Sequence, residues 1–292
     1  MNRNCLRLVL LLGLALHGAA AVAAEASPTG AATRQTPPIE LPALPPEGAA
    51  VPGGIYVYSA PPGVTRVLFE DRPVLSLNGR YLVGIPISRK PGTAELTVFF
   101  GNAEQLAHRF EVEAKAYPEQ RLTIKNRKMV NPDPESLARI REESARMRSA
   151  YRNFDAVDLQ NLAPFTQPVF GIVSSPFGRR RVLNDQPRSP HSGLDIAATT
   201  GTPILAPAPG RVTLTGSFYF NGNSVFVDHG QGLVTMYCHL DEIDVEDGMT
   251  VARGDLLGKV GSTGRSTGPH LHWSVSLNGN RVDPVTAMSL LQ

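Results

Sequence analysis

Apolar and polar residues alternate in short runs along most of this 292-residue chain, with Gly, Pro and Asn between the runs. From Gly54 onward the runs are Ile55-Tyr56-Val57-Tyr58, Thr65-Arg66-Val67-Leu68-Phe69, Tyr81-Leu82-Val83, Leu96-Thr97-Val98-Phe99-Phe100 and residues 108–115. In the last of these, His108, Phe110, Val112 and Ala114 share one face and Arg109, Glu111, Glu113 and Lys115 the other, which is the period of a half-buried strand. Such strands, punctuated by turn residues, predict a small β-sandwich over 53–118, immunoglobulin-like in type. His108 is read as a packed residue within it.

One segment departs from this period. Asp133 is a helix N-cap, Pro134 stands at the first helical position and Glu135 lies in the first turn, where the helix dipole favours acids. Leu137, Ile140, Ser144, Met147 and Tyr151 then recur at three- and four-residue steps. The pattern predicts a helix over 134–152 inside a connector spanning 119–164. From about Phe165 to Gln292 the strand pattern returns, and Val225 to Asp228 and Leu233 to Tyr237 flank His229-Gly230-Gln231-Gly232 as a hairpin. The fold class expected is therefore mainly β, with an N-terminal β-sandwich, a connecting helix and a C-terminal antiparallel β-domain. A β-domain joined by a helix to a shallow groove is expected to cover that groove.

The N-terminus has a different texture. Arg3 and Arg7 precede the apolar run from Leu8 to Leu16, and small residues at 21–24 supply a cleavage site, so residues 1–24 read as a secretory signal peptide. Nine apolar residues are too few to span a bilayer. No cysteine stands at the cleavage point for a lipid, so no membrane anchor is expected after processing, and the location is periplasmic or secreted. A proline- and alanine-rich linker over 25–52 follows.

Removing the signal changes the charge. The chain has 28 Lys+Arg and 26 Asp+Glu, and the signal takes Arg3 and Arg7 but no acid, leaving 26 against 26. Net charge therefore gives no reason to expect a nucleic-acid partner. The local cluster Arg179-Arg180-Arg181 is either a solvated loop or a contact for a substrate carboxylate, and Arg180 and Arg181 are the candidates. Cys238 alone remains after processing, so no intramolecular disulfide can form, and it reads as a small core residue.

The chemistry concentrates in two stretches, His191-Ser192-Gly193-Leu194-Asp195 and His270-Leu271-His272. Imidazole nitrogens with a carboxylate oxygen form a zinc ligand set, and three protein ligands leave a fourth position open. Gly193 and the Gly/Pro-containing run at 199–203 oppose a helix here, so His191 and Asp195 are expected to face one way along a strand, as are His270 and His272. Spacing does not say which histidine binds metal and which serves a bound water. Gly261, Gly264 and Gly268 cluster before His270; they serve turns or allow a substrate backbone to approach, with Gly268 the candidate contact.

At these residues the chain resembles the lysostaphin-type and LytM-type zinc metallopeptidases, which cut peptidoglycan cross-bridges. The similar text runs from Ser175-Pro176-Phe177-Gly178 through Pro190 to Asp195, Ala206 to Gly210, Tyr237-Cys238-His239-Leu240 and Gly264 to His272, ending near Asp283-Pro284. The resemblance implies a barrel-sandwich-hybrid-like domain over 165–292, His191, Asp195 and His272 as ligands of one zinc ion, and His239 and His270 as catalytic residues. It implies stem peptides or cross-bridges of peptidoglycan as substrate, with the D,D-endopeptidase type favoured and a glycyl-glycine endopeptidase as alternative. One departure is that 179–190 contains no tyrosine, which some members use to hold the developing oxyanion. Two other classes were weighed. Residues 206–212 and 251–261 are similar to the hammerhead strands of lipoyl or biotinyl carriers, but Lys259 lies within a strand-like run instead of at a hairpin tip. A metal-free activator of cell-wall amidases would have lost ligands, whereas all five positions are filled here.

Overall fold

A computed structural model describes residues 48–292 apart from 103, 158, 160, 161 and 163. The expected signal peptide and most of the expected linker lie outside the described residues. The end of that linker is part of the fold: Glu113 N donates to Ala50 O at 2.8 Å and Tyr117 Oη to Pro52 O at 2.7 Å.

Seven short strands follow, β1 (Ile55–Ser59), β2 (Val64–Phe69), β3 (Arg72–Pro73), β4 (Leu75–Leu77), β5 (Arg80–Gly84), β6 (Gly92–Phe100) and β7 (Gln105–Val112). They form two sheets, ordered β1-β5-β4 and β3-β2-β6-β7. Alternation along β5 explains the layering. Tyr81 and Val83 face the second sheet and share a core with Phe69, Leu96, Val98 and Phe110. Leu82 faces the other way and, with Ile55, Leu75 and Leu77, enters the core of the C-terminal domain beside Trp273, Val275 and Leu277. The first sheet is thus covered on both faces. His108 packs on Tyr58 and bonds Tyr56 Oη through Nε2 at 2.8 Å.

The connector is held to the C-terminal domain through a strand and a helix. A strand β8 (Glu119–Leu122) is followed by helix α1 (Pro134–Tyr151). Asp133 caps α1 by accepting from Ser136 N at 2.9 Å. The far end of the helix buries Ala150 and Tyr151 against Phe226 and Met236.

The C-terminal domain contributes β9 (Ile172–Ser175), β10 (Arg180–Leu183), β11 (Gln186–Pro187), β12 (Leu194–Ala197), β13 (Pro203–Leu205), β14 (Gly210–Phe218), β15 (Gly222–Gly230), β16 (Leu233–Ile243), β17 (Thr250–Val251), β18 (Leu256–Val260), β19 (His270–Leu277) and β20 (Asn280–Val282), then α2 (Pro284–Leu290). Their main sheet runs β17-β14-β15-β16-β19-β12-β9, with β13, β18 and β20 paired off that path. β18 pairs with both β13 and β16, and its Leu257 and Val260 share one core with Ile204, Val225, Tyr237 and Trp273. The hairpin between β15 and β16 turns at Gln231-Gly232. Beside it, buried His229 bonds Pro209 O at 2.7 Å and Thr235 Oγ1 at 2.9 Å, a structural role. Cys238 is fully buried, and burial pushes its thiol up to about 12. Among the described residues no helix is long and apolar enough to cross a membrane.

Candidate metal and catalytic site

Three adjacent strands bring the site together. β12 pairs with β19 so that Asp195 lies opposite His272, and β19 pairs with β16 so that His272 lies opposite Cys238, next to His239. Asp195 and His272 therefore project from neighbouring strands as a cross-strand pair.

His191 arrives differently from the sequence expectation. It precedes β12, and the chain bends at Gly193. Residues i and i+4 of a straight strand would lie about 13 Å apart, whereas His191 Nε2 is 2.9 Å from Asp195 Oδ1. The bend depends on Gly193, because a Cβ there would come within 2.5 Å of Trp273 O and 2.7 Å of the His272 ring. Shared strand direction is thus replaced by a turn wrapped around the imidazole of His272.

The three donor atoms form a tight triangle. His191 Nε2 is 3.0 Å from His272 Nδ1, and His272 Nδ1 is 2.7 Å from Asp195 Oδ1. All three residues are buried. The outer nitrogens are already used: His191 Nδ1 bonds Pro176 O at 2.9 Å, and His272 Nε2 bonds Ser274 Oγ at 3.1 Å. Ser274 Oγ itself donates to Ser192 O at 2.9 Å, so toward His272 it accepts. Each imidazole then carries its proton on the outer nitrogen, and two lone pairs and a carboxylate oxygen converge on one buried point. Only a cation can satisfy that arrangement without disturbing the outer bonds, and the donor set is one that suits a divalent metal.

Electrostatics agree with neutral imidazoles. His272 is pushed down to about 4, chiefly by burial, although Asp195 opposes the shift. Burial raises the Asp195 carboxyl, but the neighbouring His191 and His272 outweigh burial and hold it well below its usual range, so a carboxylate oxygen faces the triangle. Arg181 adds a further bond, Nη2 to Asp195 Oδ2 at 2.9 Å.

Above the triangle stand His239 and His270, with ring centroids 4.8 Å apart. Both are anchored through Nδ1, His239 to Thr263 O at 2.8 Å and His270 to Gly268 O at 2.8 Å. Each so fixed as an Nδ1–H donor offers Nε2 as a base. Burial, then the neighbouring His270 and His272, push His239 down to about 3. His239 is also the one residue of the five in left-handed backbone, at φ +66°. β16 pairs with β19 up to Cys238 and with β18 from Leu240, and His239 sits at the changeover with its N–H bonded to Asn221 O at 2.8 Å. A backbone strained at one point turns the imidazole into the site.

The groove over the site is lined by His239, His270, Asp195, residues 265–269 and, from the connector, Gln120, Leu122 and Ile124. The cover thus comes from β8 and the residues after it, not from the β-sandwich. β8 lies parallel to β10, and the Asn184 side chain grips Ile124 through both N (2.8 Å) and O (3.0 Å). Of the candidate substrate contacts, Arg181 also lines the groove but is committed to Asp195, while Arg180 is exposed on β10 with Glu119 at 3.9 Å. Gly268 lines the groove and would have open space around a Cβ. No tyrosine lines it. Residue spacing carries no signal for Gln120 or for Ser274, and Arg265 stands unassigned within the Gly264 to His272 stretch.

A β-domain that converges two histidines and an aspartate from a turn and two adjoining strands beneath two further histidines defines a class of metal-dependent hydrolase sites. Residues 189–284 match the model of peptidase family M23. A crystal structure of a peptidase M23 from Pseudomonas aeruginosa is 43% identical, superposes with a TM-score of 0.67, and covers 84% of this chain and 97% of that one. The chain belongs to peptidase family M23. Among curated proteins, the DD-carboxypeptidase/endopeptidase Mpg of Neisseria meningitidis is 43% identical over 118 residues, covering 40% of this chain and 27% of the relative. The peptidoglycan DD-endopeptidase ShyA of Vibrio cholerae is 41% identical over 117 residues, covering 40% and 26%. The chain spans about a quarter of the length of these curated relatives.

Proposed function

We propose that this protein is an exported zinc-dependent endopeptidase that hydrolyses peptide cross-links of peptidoglycan, of the D,D type, outside the cytoplasm. The observation that carries this reading is the convergence of His191 Nε2, Asp195 Oδ1 and His272 Nδ1 below the Nε2 atoms of two backbone-anchored histidines. His191, Asp195 and His272 would hold one zinc ion, which supplies an activated water at neutral pH and polarises a carbonyl. His239 and His270 do the proton work. Neutral and held by Nδ1, either can accept the proton of the attacking water at Nε2, and the imidazolium so formed passes that proton to the departing amine, a contribution of about 10²- to 10⁴-fold. While it holds the proton, its Nε2–H can donate to the developing oxyanion. The names of the Neisseria and Vibrio relatives support the D,D assignment.

Digestion of purified sacculi with the metal-loaded protein tests the reading. Mass spectrometry of the products is expected to show loss of D,D-cross-linked dimers, with chelation abolishing the change and zinc restoring it. Sacculi left intact, or full hydrolysis in exhaustive chelator with no metal detected, would refute it.

A further inference from the structure

The loop that leads into His270 carries a guanidinium, and its position is fixed. Gly264 takes φ +70°, and a Cβ there would lie 2.4 Å from Gly222 N, so the loop runs tight against 220–222. Arg265 N donates to Phe220 O at 2.8 Å, and the guanidinium lies over the Phe220 ring, 4.3 Å from its centroid. One Nη donates to Met129 O at 3.2 Å. Stacking and that single bond aim the group into the groove.

Its other N–H groups have no anionic partner. Among the described residues, no acidic side chain pairs with Arg265, and its charged neighbours are Arg181 and Arg188. Burial first, then those two arginines, push it down to about 10, which leaves it charged at neutral pH. Among the described residues, the one acid lining the groove is Asp195, whose Oδ2 is held by Arg181 and whose Oδ1 belongs to the donor triangle. A half-buried cation with spare donors favours an incoming anion, and a guanidinium fork matches a carboxylate.

We propose that Arg265 is a specificity-determining residue that recognises a free carboxylate on the leaving-amine side of the scissile bond. The proposal rests on the peptidoglycan-peptide reading. In a D-alanyl-diaminopimelate cross-link, the carbon bearing the departing nitrogen also bears a free carboxylate, two bonds from that nitrogen. A glycine bridge has no carboxylate there. Arg265 and His270 sit five residues apart, one in the loop before β19 and one at its start, and line one groove, so a candidate base and the cation that reads the carboxylate are built together.

The test compares two synthetic D,D-cross-linked peptides, one with that carboxylate free and one with it converted to a carboxamide, using the zinc-loaded full chain. The wild type is expected to prefer the carboxylate by roughly 10- to 100-fold in kcat/KM, the range for one charge-assisted hydrogen bond. Arg265→Gln is expected to bring the ratio close to one by raising KM for the carboxylate substrate far more than for the carboxamide, with zinc content retained. Arg265→Lys keeps the charge without the fork and is expected to fall between them. An equal loss on both substrates in Arg265→Gln, or a wild type indifferent to the carboxylate, would overturn the proposal alone. Cleavage of neither peptide by the wild type would overturn the peptidoglycan reading and the proposal with it.

Discussion

Arg181 and Asp195 form an ion pair in which Nη2 donates to Oδ2 at 2.9 Å, leaving Oδ1 turned toward His191 and His272. The two carboxylate oxygens therefore have separate tasks. One is held by the arginine, and the other belongs to the donor triangle.

Removing that hold should loosen the site without removing a donor. Arg181→Ala is expected to weaken zinc affinity by about 10- to 100-fold, the usual effect of losing an outer partner of a ligand. Competition with a graded chelator measures it, and an unchanged affinity would show that Asp195 needs no such support.

The two histidines of β19 should separate by metal content. His272→Ala leaves two donors and is expected to lose zinc, and with it activity and some stability. His270→Ala is expected to keep zinc while losing about 10²- to 10⁴-fold in turnover, and His239→Ala to behave alike. Because both serve one proton-transfer step, the double variant should be far less than multiplicatively worse. Zinc retained in His272→Ala and lost in His270→Ala would reverse the assignment.

Acid should destabilise the fold through a histidine outside the site. Burial depresses His229 from 6.5 to about 4, with its bond to Pro209 O partly opposing the shift. The unfolded chain therefore binds that proton first. The stabilisation is complete above pH 6.5 and is lost as pH falls toward 4, of order 3 kcal/mol for this one group. Melting temperatures over this range should fall steeply in the wild type and less steeply in His229→Gln. Parallel curves would exclude His229 as a source of the acid sensitivity.

A chain beginning at Asn153 loses more than a cover. It lacks Ile55, Leu75, Leu77 and Leu82 from the C-terminal core and Tyr151 from the Phe226 cluster. Each missing large side chain costs about 2 to 5 kcal/mol where the gap cannot close. The shortened protein is expected to melt well below the full chain by circular dichroism, and an equal melting temperature would mean that the first domain is an independent module.

The mainly β character was legible because alternation survives along β6, β7 and β19, and the start of α1 was legible from Asp133 and Pro134. The five site residues stand out because histidines are few and lie in fixed spacings. Three features left little trace. His191 sits off the strand because Gly193 breaks an alternation that the letters continue. β8, Glu119-Gln120-Arg121-Leu122, is polar because it is held by backbone pairing at a sheet edge, which requires no apolar face. The shared core was hidden because Leu75 to Leu77 is too short a run to announce which face it covers.

Asn278 has one further effect. Its side chain mimics a peptide group, Oδ1 accepting from Gly84 N at 2.7 Å and Nδ2 donating to Gly84 O at 3.2 Å, and so continues β5 onto the end of the strand that carries His270 and His272. The middle strand of the first sheet and the strand that carries His270 and His272 are thereby stitched into one opening unit, although Gly84 and Asn278 are 194 residues apart in sequence. Amide protons on β5 and β19 should then exchange with solvent only through the same rare event, and slack introduced in the first domain would be felt at the donor triangle without any hinge between them.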